Sequence, residues 1–331
     1  MLAAARVVLK QHRFEVGAAA IAALAVGVWA LLVGLQVRML GVPPGCIEAW
    51  LASGTDEQTE CLGLLRTWSG IVETPVIGVM VYIPFATGLL GSVPIVAREL
   101  ESRTAQRAWS LNPSRRRWLF RQLAPVMVIL GASLTFAALA TSLLEADRVI
   151  VGYSPVDDLG LYGPLIVARA FGAFGVGLLV GALVGRTLPA FVLGVALTVA
   201  LTFVVSSVRE EWVKRLEPAV VSEMSAGGGT ILVPHAVITA IAFRTPDGQQ
   251  ISIEDARAIA HTAGAAQPAP DDEQDLPAAV WLERHGYAEL DLGVTMEMAL
   301  GWAPYDALAF VIVGVASIAG TIPMVNRRRP T

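Results

Sequence analysis

Six apolar runs, at 17–39, 71–93, 122–144, 164–186, 189–208 and 303–325, decide what this 331-residue chain can fold into. About 20 such residues wound as a helix cross the ~30 Å hydrocarbon core of a bilayer. Backbone groups meet no water there, so each run must satisfy its own amides, and a helix does so. A soluble protein could hide one such run in its core, but not six. The chain reads as an all-α polytopic membrane protein with six transmembrane helices. Its mean hydropathy of +0.61 agrees.

The formal net charge of −4 has meaning only when divided by side. Six crossings place the N-terminus, the 94–121 loop, the 185–188 turn and the C-terminus on one face. That face carries Arg6, Lys10, Arg13, Arg186 and Arg327 to Arg329. Seven more arginines lie in the stretch RELESRTAQRAWSLNPSRRRWLFR at 98–121. Its acids are Glu15, Glu99 and Glu101. Excess Lys and Arg in short loops marks the cytoplasmic side, so both termini are expected inside the cell. The first run is too long for the apolar core of a cleaved leader and no small-residue cleavage site follows it. It is therefore expected to be a retained span. Arginine outnumbers lysine 22 to 2, as in a GC-rich bacterial genome, which points to a bacterial plasma membrane. An acidic outer surface without a basic patch argues against nucleic acid as a partner.

This threading assigns 1–208 to spans 1 to 5, 209–302 to a small α+β extracytoplasmic domain, and 303–331 to span 6 and a basic tail. In the domain, ILVPHAVITAIAF and QQISI read as strands joined by a Pro246-Asp247-Gly248 turn. EDARAIAHTA and DLPAAVWLERHGYAEL read as helices. His235, His261 and His285 lack metal-ligand spacing, and no metal or cofactor is expected in this chain. Cys46 and Cys61 share the first outer loop. A disulfide there would stabilise by about 3 kcal/mol, and two free thiols are the alternative.

Inside the spans, Gly177, Gly181 and Gly185 recur every four residues and strip one helix face of side chains. Such a face admits close approach of another helix, within or between subunits. Glu73, Arg169 and Asp306 lie near the outer ends of spans 2, 4 and 6, where ionisable groups are functional candidates. Either Arg169 pairs with Glu73 or Asp306 to close the outer end of a path, or each side chain snorkels separately to water. No catalytic set of acids or Ser/His/Asp converges within the spans, which argues against an embedded enzyme.

In the charged stretch, Pro94 suits the first turn of a helix capped by Ser92. Glu99 and Arg103 stand at i,i+4 in the favourable order. Asn112-Pro113 ends that helix, and Asn112 caps the next. Arg115 to Arg117 fall at headgroup level, with Trp109 and Trp118 as interfacial aromatics. ELESRTAQRAW is too polar for lipid and reads as a docking surface for a cytoplasmic protein.

RELESRTAQRAWSLNPSRRRWL resembles the first cytoplasmic loop of ABC-2 type transporter permeases, particularly a group common in actinobacteria. Those loops carry acid–x–x–Gly-Thr–x–x–x–x–Trp, then Arg and Trp at the start of span 3. Here the acids are Glu99 and Glu101, the threonine is Thr104 and the tryptophans are Trp109 and Trp118, while Arg103 stands where glycine is usual. WLERHGY at 281–287 is also similar to the region before the last span of that group. The resemblance implies a permease that pairs with a second permease copy and a separate ABC ATPase subunit. It makes 94–121 a coupling loop, with ATPase contacts at Glu99, Glu101, Arg103, Thr104, Arg107 and Trp109. ATP and Mg then belong to the partner. Neither Lys10 nor Lys214 follows a Gly-rich loop, so the chain has no Walker A motif. The implied activity is export of an amphiphilic or hydrophobic small molecule or peptide, such as a drug or antibiotic, by alternating access. The competing function is a membrane-anchored sensor or scaffold that binds through the extracytoplasmic domain.

Overall fold

Each apolar run closes its own hydrogen bonds as a helix. In the computed structural model these are α1 (Arg13–Met39), α2 (Thr74–Glu101), α3 (Arg115–Val151), α4 (Gly163–Val184), α5 (Thr187–Lys214) and α8 (Ala303–Arg327). All six are long and apolar enough to cross a membrane. The structure describes residues 10–40, 63, 74–102, 114–151, 163–216, 218–225, 228–231, 237–265, 276–295, 298 and 301–327. Cys46 and Cys61, and the short helix expected at CIEAW, lie outside the described residues.

α4 is the centre of the bundle. Of its most apolar stretch 83% is buried, against 22% for α5 and 28% for α8. Lipid supplies no hydrophobic drive for helices to associate, so close backbone contact between small residues must do so. One face of α4 meets α2: a Cβ on Gly181 would lie 3.2 Å from the Val93 carbonyl oxygen, and Gly177 faces Ser92 and Val93. The expected glycine face is thus an interface within the subunit. Gly185 lies one residue past the end of α4. It follows α4 at φ +68°, and its N–H donates to the Gly181 carbonyl, turning the chain into α5. Left-handed backbone of this kind favours glycine. A second glycine contact, missed in the sequence, joins the other side of α4 to α8. There a Cβ on Gly175 would sit 2.5 Å from the Gly314 carbonyl oxygen.

Two expectations about the charged stretch are corrected. α2 continues through Pro94 to Glu101, so Pro94 does not open a new helix and Ser92 does not cap one. The Ser92 hydroxyl instead donates back to the Leu89 carbonyl at 3.4 Å. The start of α3 is capped by Ser114, whose hydroxyl accepts from the Arg117 N–H at 3.3 Å. Asn112 lies outside the described residues. Trp118 is no interfacial aromatic: it is 5% exposed, packed in one core with Val16, Ala19 and Leu123.

Between α5 and α8 stands an antiparallel five-stranded sheet in the order β2-β1-β5-β3-β4. Its strands are β1 (Ala219–Ser225), β2 (Gly228–Ile231), β3 (Val237–Arg244), β4 (Gln250–Ser252) and β5 (Ala288–Val294). The β3–β4 turn forms as expected, with Gly248 at φ +86°. α6 (Ile253–Thr262) is also as expected, with the Ser252 hydroxyl accepting from the Asp255 N–H. β1 was not expected. The last expected helix is shorter than read: α7 (Leu276–Arg284) stops before Gly286 at φ +79°, and AEL begins β5. Phe243, Ala256, Ala260, Ala278 and Leu282 pack α6 and α7 onto the sheet. The apolar run of α5 extends as helix to Lys214, past the boundary expected at 209.

Gly175→Ala forces a methyl group against the α8 backbone, an overpacking that costs about 1–3 kcal/mol. Thermal unfolding in nanodiscs should show this loss. Gly17→Ala, which meets nothing within 4 Å, should leave the midpoint unchanged.

Candidate functional site

The ends of the 102–114 connection are tied to three other helix termini. At the end of α2, Arg98 pairs with Glu15 of α1 at 2.5 Å, and Glu99 accepts a hydrogen bond from the Gln11 amide. Glu99 is 4% exposed, so it is built into the bundle. His12 is buried beside it, and neither ring nitrogen has a hydrogen-bond partner among the described residues. Burial lowers the His12 pKa, against the pull of Glu99 and Glu15, while Arg98 adds to the lowering.

Glu101 reaches the first residue of α5. Its Oε2 accepts from the Thr187 N–H at 3.0 Å and from the Thr187 hydroxyl at 2.8 Å. A carboxylate satisfying an orphan N–H at the positive end of a helix is favourable on both counts. At the start of α3, the Arg115 guanidinium donates to the carbonyls of Val325 and Asn326 at 3.2 and 2.8 Å, at the end of α8. A cation there complements the negative helix end. Arg116 lies over the Phe120 ring at 5.7 Å. Arg103, Thr104, Arg107 and Trp109 lie outside the described residues.

A second charged cluster lies at the far ends of α5 and α8. Asp306 is 2% exposed and accepts from Arg209 at 3.4 Å and from the Trp302 indole N–H at 2.9 Å. The Trp212 and Trp302 rings lie 5.1 Å apart beside it. Arg169, also buried, sits 6.0 and 5.9 Å from the rings of Phe85 and Phe310, where Asp306 and Arg209 both act on its charge. The direct ion pair of Asp306 is therefore to Arg209, a residue the sequence reading had placed in the soluble domain. The apolar run VVSSV continuing into REEW as helix was the signal that could have found it. Glu73 lies outside the described residues.

Between these two ends runs a groove of about 570 Å³, walled by α2 and α5. Tyr82, Phe85, Leu89, Phe191 and Val195 line it, with Thr198, Thr202 and Ser206 in a row along α5. Among the described residues, no charged side chain lines it. The threonine hydroxyls are turned onto their own helix, Thr198 to the Gly194 carbonyl and Thr202 to the Thr198 carbonyl. The groove offers an apolar wall to a ligand.

Six membrane-length helices, with charged clusters near their ends and an apolar groove between α2 and α5, make this a polytopic membrane protein. The family of ABC-2 membrane transporter related proteins matches residues 18–209, more than half of the chain, and the protein belongs to it. The match covers α1 to α5 up to Arg209 and stops before the sheet. No curated protein and no solved structure matches the chain. Members of such a family are membrane subunits of transporters.

Asp306 and Arg209 should be energetically coupled. A double-mutant cycle of Asp306→Asn and Arg209→Gln, followed by thermal unfolding in nanodiscs, is expected to give a coupling of about 1–3 kcal/mol. Strictly additive losses would mean the two act separately.

Proposed function

We propose that this chain is the membrane-spanning subunit of an ATP-driven exporter in a bacterial plasma membrane, working as two permease copies with a separate ABC ATPase. The family match carries this reading. The anchored flanks of the α2–α3 connection support it, because a segment tied to α1, α5 and α8 at its two ends can pass a push from outside the bilayer to most of the bundle. Arg98, Arg115 and Arg327 gather with the N-terminus of α1 at this end. By the charge rule that end is cytoplasmic, which puts both termini inside and the sheet outside.

Glu99 and Glu101 are engaged within the chain, so the ATPase contact falls on Arg103, Thr104, Arg107 and Trp109. The groove between α2 and α5 is the cargo path, and its apolar, uncharged lining suits a hydrophobic or amphiphilic molecule or peptide. Arg169, Asp306 and Arg209 close its outer end. The mechanism is alternating access: ATPase closure displaces the coupling loop and the groove changes the side to which it opens. The sheet has its own core and lies outside the family match, which favours one other reading, a sensor or scaffold that recognises a partner through that region.

Affinity purification of the full chain from its native cells separates the two. A permease brings an ABC ATPase with it, and a sensor brings none. Arg103→Glu with Arg107→Glu should lower ATPase recovery at least about tenfold, equivalent to 1.4 kcal/mol. Undiminished recovery would remove those residues from the contact.

A further inference from the structure

α5 is the least buried of the six helices, and few fixtures hold it. At its start, Gly185 and Arg186 join it to α4 in a two-residue turn. Near its far end, Arg209 pairs with Asp306 of α8. A further polar fixture is the Glu101 carboxylate, which accepts from both donors of Thr187 at 2.8 and 3.0 Å. Arg186 stands close enough to act on that carboxylate. Glu101 closes the last turn of α2, so this contact ties the end of one groove wall to the beginning of the other.

One turn beyond Thr187, Phe191 lines two spaces at once. It faces the α2–α5 groove, and it also faces a cleft of about 700 Å³ bounded by Glu15, Arg98, Glu101, Thr187 and Leu188. A displacement of the α2 terminus is therefore delivered to α5 at the turn that carries Phe191. Elsewhere the two walls meet mainly through side chains such as Phe85, Leu89 and Phe191, which can slide. Two hydrogen bonds to one charged acceptor oxygen cannot slide without breaking.

We infer that Glu101 is a positioning residue: its hold on Thr187 makes the end of α2 and the start of α5 move as one and thereby sets the width of the groove between them. The latch takes its purpose from the permease reading, but it is measured in this chain alone. A failure to recover an ATPase and a failure of the latch are therefore separate results. A helix cap without mechanical consequence would stabilise the start of α5 and leave the middle of the groove unaltered.

The test is pulsed electron–electron distance measurement on the full chain in nanodiscs, diluted with unlabelled chain. Cys46 and Cys61 are replaced by Ser, and spin labels are placed at Tyr82→Cys and Val199→Cys, both exposed on opposite groove walls. A control pair at Ile21→Cys and Val128→Cys reports the α1–α3 packing. Glu101→Ala should add a groove population shifted by about 1–5 Å, the range from an interface helix shift to a one-turn ratchet, and leave the control pair unmoved. Thr187→Ser keeps both donors and should superimpose on the parent distribution. The inference is overturned if Glu101→Ala leaves the groove distance unchanged while lowering the unfolding temperature, since the contact is then only a cap. It is equally overturned if the groove and control pairs shift together, since the loss is then general.

Discussion

Backbone-to-backbone approach along α4 is the constraint on which the rest of the bundle depends. In lipid, apolar side chains gain nothing by leaving their solvent, so helices stay together through dispersion and the absence of intervening bulk. Gly177 and Gly181 admit α2 on one side, and Gly172 and Gly175 admit α8 on the other. With α4 fixed between these two, α1 and α3 pack as a pair around Ala19, Ala23 and Val126, and α5 is left on the outside with one wall of a groove. The groove is a consequence of that asymmetry: α2 is pressed to α4 by glycines, while α5 presents branched and aromatic side chains that keep it at a distance.

Polar contacts are used sparingly, and at helix ends. Glu101 at the start of α5, Arg115 at the end of α8 and Ser114 at the start of α3 all meet backbone groups that a helix cannot satisfy itself. Asp306 pairs instead with side chains, those of Arg209 and Trp302, at the start of α8. Each contact lies where a neighbouring segment departs from the bundle.

Much of this was legible because the signals were long or local. Six apolar runs fix six helices regardless of detail, and Ser252 with Asp255, or Pro246-Asp247-Gly248, define their own caps and turns within a few residues. What failed depended on partners far away in the chain. Pro94 carries a helix-start preference, yet a neighbouring helix packed along Val93 and Ala97 keeps α2 continuous through it. Trp118 has the composition of an interfacial residue, but its position in α3 turns it onto α1. A four-residue glycine period could not say that its third member would be a turn, since Gly185 differs from Gly181 only in having Arg186 and a new helix after it. Asp306 was recognised as a candidate, but its partner Arg209 is 97 residues away, and no spacing rule reaches so far.

The strand order of the sheet has a consequence for how this chain is assembled. β1 and β5, the first and last strands, are hydrogen-bonded neighbours, with Ala219 opposite Gly293, and the helices leading to and from them are stapled by Trp212 and Trp302. Departure and return lie side by side, as in circularly permutable or grafted modules. Mechanically the whole sheet is a cassette plugged into one hairpin of the membrane bundle. Replacing it with another head would leave the order of the crossings as it is.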